Sequence, residues 1–416
     1  MKNKIGALAL SGLMIGPILG SGILILPPLI VRQIGTWAIY AWMLMIGIAF
    51  LFAWIIGQLT IEFPGEGGVT NAVEVAFGAE IKRLTSFLLI IGVVFGAVAV
   101  LMTAANYLGA LINLPVSWIG YGLLCLCAGL LLTRISFIGN VALIMSIIAA
   151  VILFAGGVTV LTVFPIPTQV AKEFNPVQFG YALLLLFWTL FGWEVVGNYS
   201  AEVKEPRKTI TKAITLSAIV IAAVELTIAA AMQRVGMAQG GNDVTITPIV
   251  ASVFQGEGQA VIALVTLVLC SSTYLLFVGS VVRLIASLAS EKVLPAVLGR
   301  RLRNNTPVFA ILSLFLLHNI VFWCFTFRVF TIENLIALSN GFFIANALIC
   351  ICAGIRLIKN RRIKIAGALL AVFFFAMLAH YATGYSLVII GGLAVYSIVR
   401  RLRQQSKTKS GEGEPA

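Results

Sequence analysis

Charged residues are scarce in this sequence. Only 10% of its 416 residues are Asp, Glu, Lys or Arg, whereas 60% are hydrophobic and the mean hydropathy is +1.06. Soluble domains usually carry about 25% charged residues, so the composition excludes a chain that folds mainly in water. A membrane crossing takes about 20 apolar residues, which leaves room for about a dozen transmembrane helices.

Histidine and cysteine are also few, and their positions argue against metal or redox chemistry. The two histidines, His318 and His380, stand alone in apolar stretches, and the six cysteines have similar surroundings. A buried thiol behaves as a small hydrophobe, and residues two apart on a helix, as in the two Cys-x-Cys pairs, face different directions. We therefore predict no metal site, no cofactor and no enzyme activity, since a membrane enzyme would need a cluster of reactive side chains.

Twelve apolar stretches are predicted as transmembrane spans, with short polar segments between most of them. They lie at residues 5–31, 37–61, 84–111, 116–132, 137–164, 178–200, 213–231, 258–288, 308–327, 332–357, 365–381 and 387–399. The segment 236–258, between spans 7 and 8, is too long for a turn. We expect it to form a short surface helix that moves as a lid.

The basic residues predict the orientation of the spans. Of the 28 Lys and Arg residues, 24 fall on the side of the N-terminus, and only Arg32, Lys172, Arg234 and Arg328 fall on the other side. Because basic loops remain in the cytoplasm, we expect a multi-pass protein of the cytoplasmic (inner) membrane with both termini cytoplasmic. The net charge of +13 then reflects topology. Nucleic acid is not expected as a partner, because binding it needs a basic face on a folded soluble surface.

Two spans are interrupted near their middle. The first contains Gly16-Pro17-Ile18-Leu19-Gly20-Ser21-Gly22, and the sixth contains Phe191-Gly192-Trp193-Glu194. Proline removes a backbone donor and clustered glycine weakens a helix, so we expect residues 16–22 to unwind. Unwound backbone inside a membrane is tolerated where it lines a polar cavity, and half-helix ends present dipoles to a ligand there. Close packing of helices through small residues is the alternative explanation.

The spacing of the spans predicts an internal repeat. Ser21 and Gly192 are 171 residues apart, and the neighbouring spans recur at a similar offset. Five spans followed by five more have opposite orientations, as in inverted-repeat transporters. We predict a first repeat at 1–164 (spans 1–5), a second at 165–360 (spans 6–10), spans 11 and 12 at 361–405, and a disordered cytoplasmic tail at 406–416.

Five motifs in spans 1–10 resemble those of the amino acid–polyamine–organocation (APC) transporters. They are Ile18-Leu19-Gly20-Ser21-Gly22-Ile23; Phe63-Pro64-Gly65-Glu66-Gly67-Gly68 with Phe77-Gly78; Trp188-x-x-Phe191-Gly192-x-Glu194; Glu202-Val203-Lys204-Glu205-Pro206-Arg207; and Arg283 through Leu294-Pro295. The chain looks most similar to the bacterial branch that exports methionine and branched-chain amino acids. The resemblance implies an all-α integral membrane protein with a LeuT-like five-plus-five inverted repeat, in which helices 1 and 6 are broken.

The resemblance also implies a substrate site at the two breaks. The N–H groups of Gly20, Ser21 and Gly22 would bind the carboxylate of an amino acid, and carbonyl groups would bind its ammonium group. The carbonyls in question belong to Ile18, Trp188 and Phe191, and the substrate side chain would face Phe187, Trp188, Phe191 and Phe277. These walls favour an apolar or aromatic substrate. Ordinary helix packing is the alternative role for the aromatic residues.

Several polar residues in the spans are candidates for ion coupling or gating. Glu194 and Glu225 are acids within predicted spans, where a buried carboxylate is costly. Ser271-Ser272-Thr273 could supply oxygen ligands to sodium, although such hydroxyls also bond to their own helix. The fifth span departs from some proton-coupled relatives because it contains no lysine. The coupling ion, H⁺ or Na⁺, and simple exchange of substrates therefore stay open.

We predict a secondary active transporter of neutral or apolar L-amino acids that works by alternating access, as an exporter or an exchanger. Its partners are a small amino acid and the lipid bilayer, and the sequence leaves the oligomeric state open. A polyamine or cationic amino-acid antiporter is the alternative within the same class. A transporter-like membrane sensor and a channel are the alternatives from other classes.

Overall fold

The computed structural model describes residues 6–64, 69–132, 135–164, 173–193, 203, 205–238, 244–302 and 306–409, with backbone alone at 17, 135–143, 145–146 and 404–409. These residues fold almost entirely into α-helices. In chain order they are α1 (Ala7–Leu19), α2 (Gly22–Ile34), α3 (Ala38–Glu62), α4 (Val69–Phe77), α5 (Ala79–Ile112), α6 (Val116–Leu131), α7 (Ile135–Val163), α8 (Pro176–Leu186), α9 (Pro206–Ala238), α10 (Thr247–Phe254), α11 (Gly258–Ser290), α12 (Val308–Thr326), α13 (Ile332–Leu357), α14 (Arg361–Tyr381) and α15 (Gly384–Lys409).

The helices have the length and composition of a multi-spanning membrane protein. Eight helical stretches of the described chain are long and apolar enough to cross a membrane, and shorter apolar helices accompany them. The all-α membrane class is therefore confirmed, while the count of twelve spans stays a prediction. The helix bundle has two ends. The Gly35 end holds the turn Gly35–Trp37 between α2 and α3, and the Glu80 end holds the start of α5.

The long helix α5 lies at the centre and packs against α11 and α13. Small residues allow this close approach. A Cβ atom at Gly92 would lie 2.5 Å from Cε1 of Phe343, and one at Gly96 would lie 2.7 Å from Oγ of Ser339. The Ser339 hydroxyl also donates a hydrogen bond to the Gly92 carbonyl at 2.7 Å. These contacts hold α13 against α5.

The first span is broken, but over fewer residues than predicted. Gly16 and Pro17 remain in α1, and only Gly20 and Ser21 leave the helix before α2 begins. Gly20 has φ −50° and ψ −123°, a combination outside the regions open to residues with a Cβ. Pro17 lacks a backbone donor, yet the break forms only at Gly20, where the absence of a side chain allows this conformation.

The sixth span breaks earlier than predicted. Helix α8 ends at Leu186 and continues as a 3₁₀ turn over Phe187–Leu190, so regular α-helix stops before Phe191. Phe191 is then extended, with φ −77° and ψ 118°. Gly192 has φ 128°, which favours glycine, and it turns the chain at this point.

The remaining segments agree with the predictions in part. The short helix predicted between residues 236 and 258 is present as α10, which confirms the helix, while its motion as a lid stays a prediction. Helix α15 continues to Lys409, so residues 406–409 of the predicted tail are helical, and 410–416 lie outside the described residues. Apolar side chains on α14 and α15, such as Phe375 and Val388, are exposed as expected for contact with lipid.

Candidate functional site

The break in the first span is tied to α11 by a hydrogen bond between Ser21 and Thr273. The Ser21 N–H donates to Thr273 Oγ1 at 3.3 Å, and Ser21 has 0% of its surface exposed. The Ser21 carbonyl accepts hydrogen bonds from the N–H groups of Leu24 and Ile25, which starts α2. The Ser21 hydroxyl is buried and has no partner among the described residues. A buried hydroxyl of this kind is costly unless a ligand or water bonds to it.

The two helix halves at this break present opposite partial charges. The last carbonyls of α1 and the first N–H groups of α2 lack partners within their own helices. The C-terminal end of α1 is therefore partly negative, and the N-terminal end of α2 is partly positive. A zwitterion placed here would find a donor set for its carboxylate and an acceptor set for its ammonium group.

The break in the sixth span is held by Asn340 of α13. The Asn340 side-chain amide donates to the carbonyls of Leu184 and Leu185, at 2.8 and 2.9 Å. Asn340 is fully buried, and its Oδ1 atom has no partner in the described chain. Asn340 was not among the site residues predicted from the sequence. The polar pair Ser339-Asn340 within an otherwise apolar span was the signal that could have identified it.

Four aromatic side chains meet beside the two breaks. Phe191 stacks on Phe343, with ring centroids 4.0 Å apart, and lies edge-to-face against Phe277 at 4.6 Å. Trp188 lies within 6.5 Å of both Phe277 and Phe343. We call these four residues the aromatic cluster. It brings together the predicted Trp188, Phe191 and Phe277, and it adds Phe343, whose position in an apolar run gave no signal.

Trp188 is clamped between two glycines. A Cβ atom at Gly22 would lie 3.0 Å from Cδ1 of the indole, and one at Gly96 would lie 2.8 Å from Cη2. The tryptophan therefore fills the space that these glycines leave open on α2 and α5. Through Trp188 the break of the sixth span contacts the break of the first span.

Other predicted site residues are placed differently. Phe187 points away from the aromatic cluster and packs edge-to-face on Phe374 of α14, at 5.1 Å, because successive residues of a 3₁₀ turn point about 120° apart. Ser271 precedes Thr273 by two positions on α11, so it faces a different side of the helix from the residue that bonds to Ser21, and Ser272 is buried in α11. Ile18 is buried near the end of α1. Glu225 is buried in α9, and Glu194 lies outside the described residues.

The two histidines and the carboxylates form no metal site within the described ranges, where no three His, Cys, Asp or Glu side chains come together. His318 is fully buried, and its Nδ1 atom shares a hydrogen bond with the Tyr274 hydroxyl at 2.9 Å. His380 is exposed on α14. His318 therefore has the partner expected of a packed core histidine.

A cavity of about 1100 Å³ opens at the Gly35 end. Residues that line it include Leu24, Ile25, Arg32, Tyr107, Arg328 and Glu333. Leu24 lies about one helical turn after Ser21, so the cavity approaches the break from this end. The charged lining residues belong to the ends of helices. One of them, Glu333, accepts a hydrogen bond from Gln33 at 2.7 Å and so joins α13 to α2.

Ion pairs join the helices at the Glu80 end. Buried Glu80 pairs with Arg83 one turn further along α5 and with Arg400 of α15, the latter at 3.5 Å. Lys82 pairs with Glu74 of α4 at 2.9 Å. The guanidinium group of Arg356 lies over the ring of Phe77. Charged contacts thus connect four helices at this end.

Comparison with known proteins agrees with this architecture. The amino acid permease family model matches residues 5–400. The L-methionine/branched-chain amino acid exporter YjeH of Escherichia coli (strain K12) is 24% identical over 94% of this chain and 96% of its own length. The serine/threonine exchanger SteT of Bacillus subtilis (strain 168) is 26% identical over 54% of this chain and 53% of its own length.

A solved structure has the same fold. The manganese transporter of Eremococcus coleocola, in complex with an aromatic bis-isothiourea substituted compound, matches with a TM-score of 0.63. It is 13% identical, and the match covers 94% of this chain and 92% of that one. The LeuT-like fold with two broken spans is thereby confirmed. The family match extends over nearly all the described helices, and this chain belongs to the amino acid permease family, within the APC transporters.

Proposed function

We propose that this protein is a secondary transporter that moves neutral, apolar L-amino acids across the cytoplasmic membrane by alternating access. The observation that carries the proposal is the contact of the two broken spans through Trp188 and Gly22. The substrate site lies between these breaks and the aromatic cluster. One break comes from the predicted repeat 1–164 and the other from 165–360, while α14 and α15 lie outside the repeats.

The backbone of the breaks would recognise the parts common to all amino acids. The substrate carboxylate binds the N–H groups of Gly20, Ser21 and Gly22. When it binds, the Ser21 N–H donates to the carboxylate in place of the Thr273 hydroxyl. The ammonium group binds the carbonyls of Ile18, Trp188 and Phe191. The Trp188 carbonyl already accepts the Phe191 N–H at 3.2 Å, and its second lone pair is available to the substrate.

The aromatic cluster would select the substrate side chain. Its four members present apolar surfaces, which gain free energy when they cover an apolar side chain. The four side chains of the cluster cannot pair with a second positive charge, such as that of a polyamine or a cationic amino acid. An unpaired charge in such surroundings is costly. YjeH, named as an exporter of methionine and branched-chain amino acids, supports the same substrate class.

Alternating access would use the two ends of the bundle. The Gly35 end holds the cavity, and at the Glu80 end the ion pairs of Glu80 join α5 to α15. The excess of basic residues at the Glu80 end supports a cytoplasmic location for that end, with both termini inside. Opening the Glu80 end would require these pairs to separate while the contacts around Arg32 and Glu333 close.

Exchange across proteoliposomes tests the proposal. Vesicles containing the purified protein are loaded with unlabelled L-methionine or L-leucine, and uptake of labelled L-methionine is measured. We expect uptake well above that of empty vesicles, with competition by leucine and isoleucine and little competition by lysine or putrescine. Absence of exchange for every apolar amino acid would refute the proposed substrate class. Stronger competition by putrescine than by leucine would favour the polyamine antiporter instead.

A further inference from the structure

Glu225 is a buried acid in the middle of a membrane-spanning helix. It lies in α9, with 3% of its surface exposed. Within the described part of the chain, no hydrogen bond or ion pair to its carboxyl group is found. A buried carboxylate without a partner is costly, whereas the neutral acid can donate one hydrogen bond. Such a residue in a membrane helix is a candidate for a functional role.

Two contacts fix the position of α9 along the first span. Near the Glu80 end, the Ser217 hydroxyl donates to the Ser11 carbonyl of α1 at 3.2 Å. Near the Gly35 end, Gly236 touches Val31 of α2. The two helices therefore run in the same direction, side by side, from one end of the bundle to the other.

Counting from either contact places Glu225 beside the break. Glu225 lies 8 residues after Ser217, and 8 residues after Ser11 is Leu19. It also lies 11 residues before Gly236, and 11 residues before Val31 is Gly20. Eleven residues make about three helical turns, so Glu225 shares the face of α9 on which Gly236 meets the first span. Both counts lead to the C-terminal end of α1.

The helices around Glu225 provide no charge at this depth. Residues 14–28 of the first span, 42–52 of α3 and 149–158 of α7 contain no titratable or charged side chain. The charged and titratable groups of these helices lie near their ends: Arg32 and Tyr40 at the Gly35 end, and Glu62 at the Glu80 end. Arg234, on α9 itself, donates to the carbonyls of Leu161 and Phe164. These stretches of the neighbouring helices therefore offer no charged side chain to pair with the Glu225 carboxyl group.

We infer that Glu225 binds and releases the proton that couples transport to a proton gradient. This inference rests on the proposed transport function and names the coupling ion for the same site. The carbonyls at the end of α1 repel a carboxylate but accept a hydrogen bond from a carboxylic acid. When the transporter is open to one side of the membrane, Glu225 takes up a proton from the water there. The neutral acid then stabilises the break of the first span in that arrangement. Loss of that proton to water on the other side returns Glu225 to its charged form, so each cycle moves one proton and consumes none.

Gradient-driven accumulation in proteoliposomes tests this inference. With one proton per substrate, a gradient of one pH unit sustains up to about a tenfold accumulation or depletion of labelled L-methionine, since about 1.4 kcal/mol corresponds to a factor of ten. We expect this response in the wild type and its loss in Glu225→Gln, which mimics the protonated form. Exchange of labelled for unlabelled substrate at equal pH should persist in Glu225→Gln. The matched control is Glu62→Gln, at an exposed carboxyl of α3, which should keep the gradient response.

The outcomes separate the two proposals. Exchange in the wild type without any response to a pH gradient, or a response only to a sodium gradient, overturns the inference and leaves the transport function intact. The inference is also overturned if Glu225→Gln still accumulates substrate, or if Glu194→Gln alone abolishes the response. Absence of exchange in the wild type under all conditions refutes the transport function itself.

A second measurement needs no transport. Infrared difference spectra of the purified protein between acidic and alkaline buffer should contain a carboxylic acid band that Glu225→Gln lacks and Glu62→Gln retains. Thermal unfolding of both variants shows whether they fold. If the band is the same in all three proteins, Glu225 does not exchange a proton with water and the inference is wrong.

Discussion

The indole ring of Trp188 lies against the backbone of Gly22, with 3.0 Å between Cδ1 and the position that a Cβ atom would occupy. The two residues belong to different spans, and each lies at a helix break. A Cβ atom on Gly22 would be tighter against the indole than most real contacts, so Trp188 would have to shift to accommodate a side chain there. The contact therefore couples the arrangement of one break to that of the other.

Replacement of Gly22 by leucine should abolish substrate binding. The added side chain would displace Trp188 and cover the N–H groups at the start of α2, and the same loss is expected for Gly20→Leu. Gly47→Leu is the matched control, because Gly47 lies on an exposed face of α3 and a Cβ atom there meets nothing within 4 Å. Stabilisation of the purified proteins by L-methionine in a thermal-shift assay measures binding. Normal membrane insertion of Gly22→Leu with unchanged stabilisation would mean that the site lies elsewhere.

Trp188→Ala should weaken L-methionine binding by at least about tenfold, equivalent to about 1.4 kcal/mol. The reason is the loss of a large aromatic wall between the breaks. Trp188→Phe should retain part of the affinity. Trp118→Ala, at a tryptophan that is 76% exposed, provides the control. Equal affinities for Trp188→Ala and Trp118→Ala would show that the aromatic cluster does not line the site.

Asn340→Ala should destabilise the protein and slow transport together. The substitution removes two hydrogen bonds to the buried carbonyls of Leu184 and Leu185, which would still share the Phe187 N–H, and each lost bond costs about 0.5–1.5 kcal/mol. Asn319→Ala is the control, because the Asn319 amide donates to the Phe315 carbonyl of its own helix and does not join two helices among the described residues. Thermal unfolding and exchange rates are measured for both variants. A fully active and stable Asn340→Ala protein would contradict the role assigned to this side chain.

Glu80→Gln should lower thermal stability and increase the exposure of the Glu80 end. The substitution leaves Arg83 and Arg400 facing a neutral group in a mostly buried position, where breaking an ion pair is costly. Lys208 and Glu205 form an exposed ion pair, so Glu205→Gln should change stability by less than about 1 kcal/mol. Reaction of a cysteine introduced at this end with a water-soluble maleimide measures exposure. Equal labelling of both variants would argue against a gate at Glu80.

The features that the sequence predicted well depend on local chemistry. Glycine and proline within apolar spans identified both breaks, and the length of 236–258 identified α10. The predicted extent of each break was less accurate. Gly16 and Pro17 stay helical in the first span, and in the sixth span the 3₁₀ turn already begins at Phe187, before Gly192. Local composition reports where a helix is weak, whereas packing decides where it opens.

Long-range contacts account for what the sequence did not reveal. Asn340 binds carbonyls 155 and 156 residues away, and Phe343 joins the aromatic cluster from an apolar helix. The polar pair Ser339-Asn340 indicates an unusual position but not its partners, and the apolar run around Phe343 gives no indication at all. Phe187 was assigned to the substrate site on the family resemblance, but the 3₁₀ geometry turns it towards Phe374.

An experimental structure of the protein with bound L-methionine tests the central claim most directly. The account predicts that the substrate carboxylate binds the N–H groups of Ser21 and Gly22, with the methionine side chain against Trp188 and Phe343. Density for the substrate only in the cavity at the Gly35 end, with the Ser21 N–H still bonded to Thr273, would contradict it.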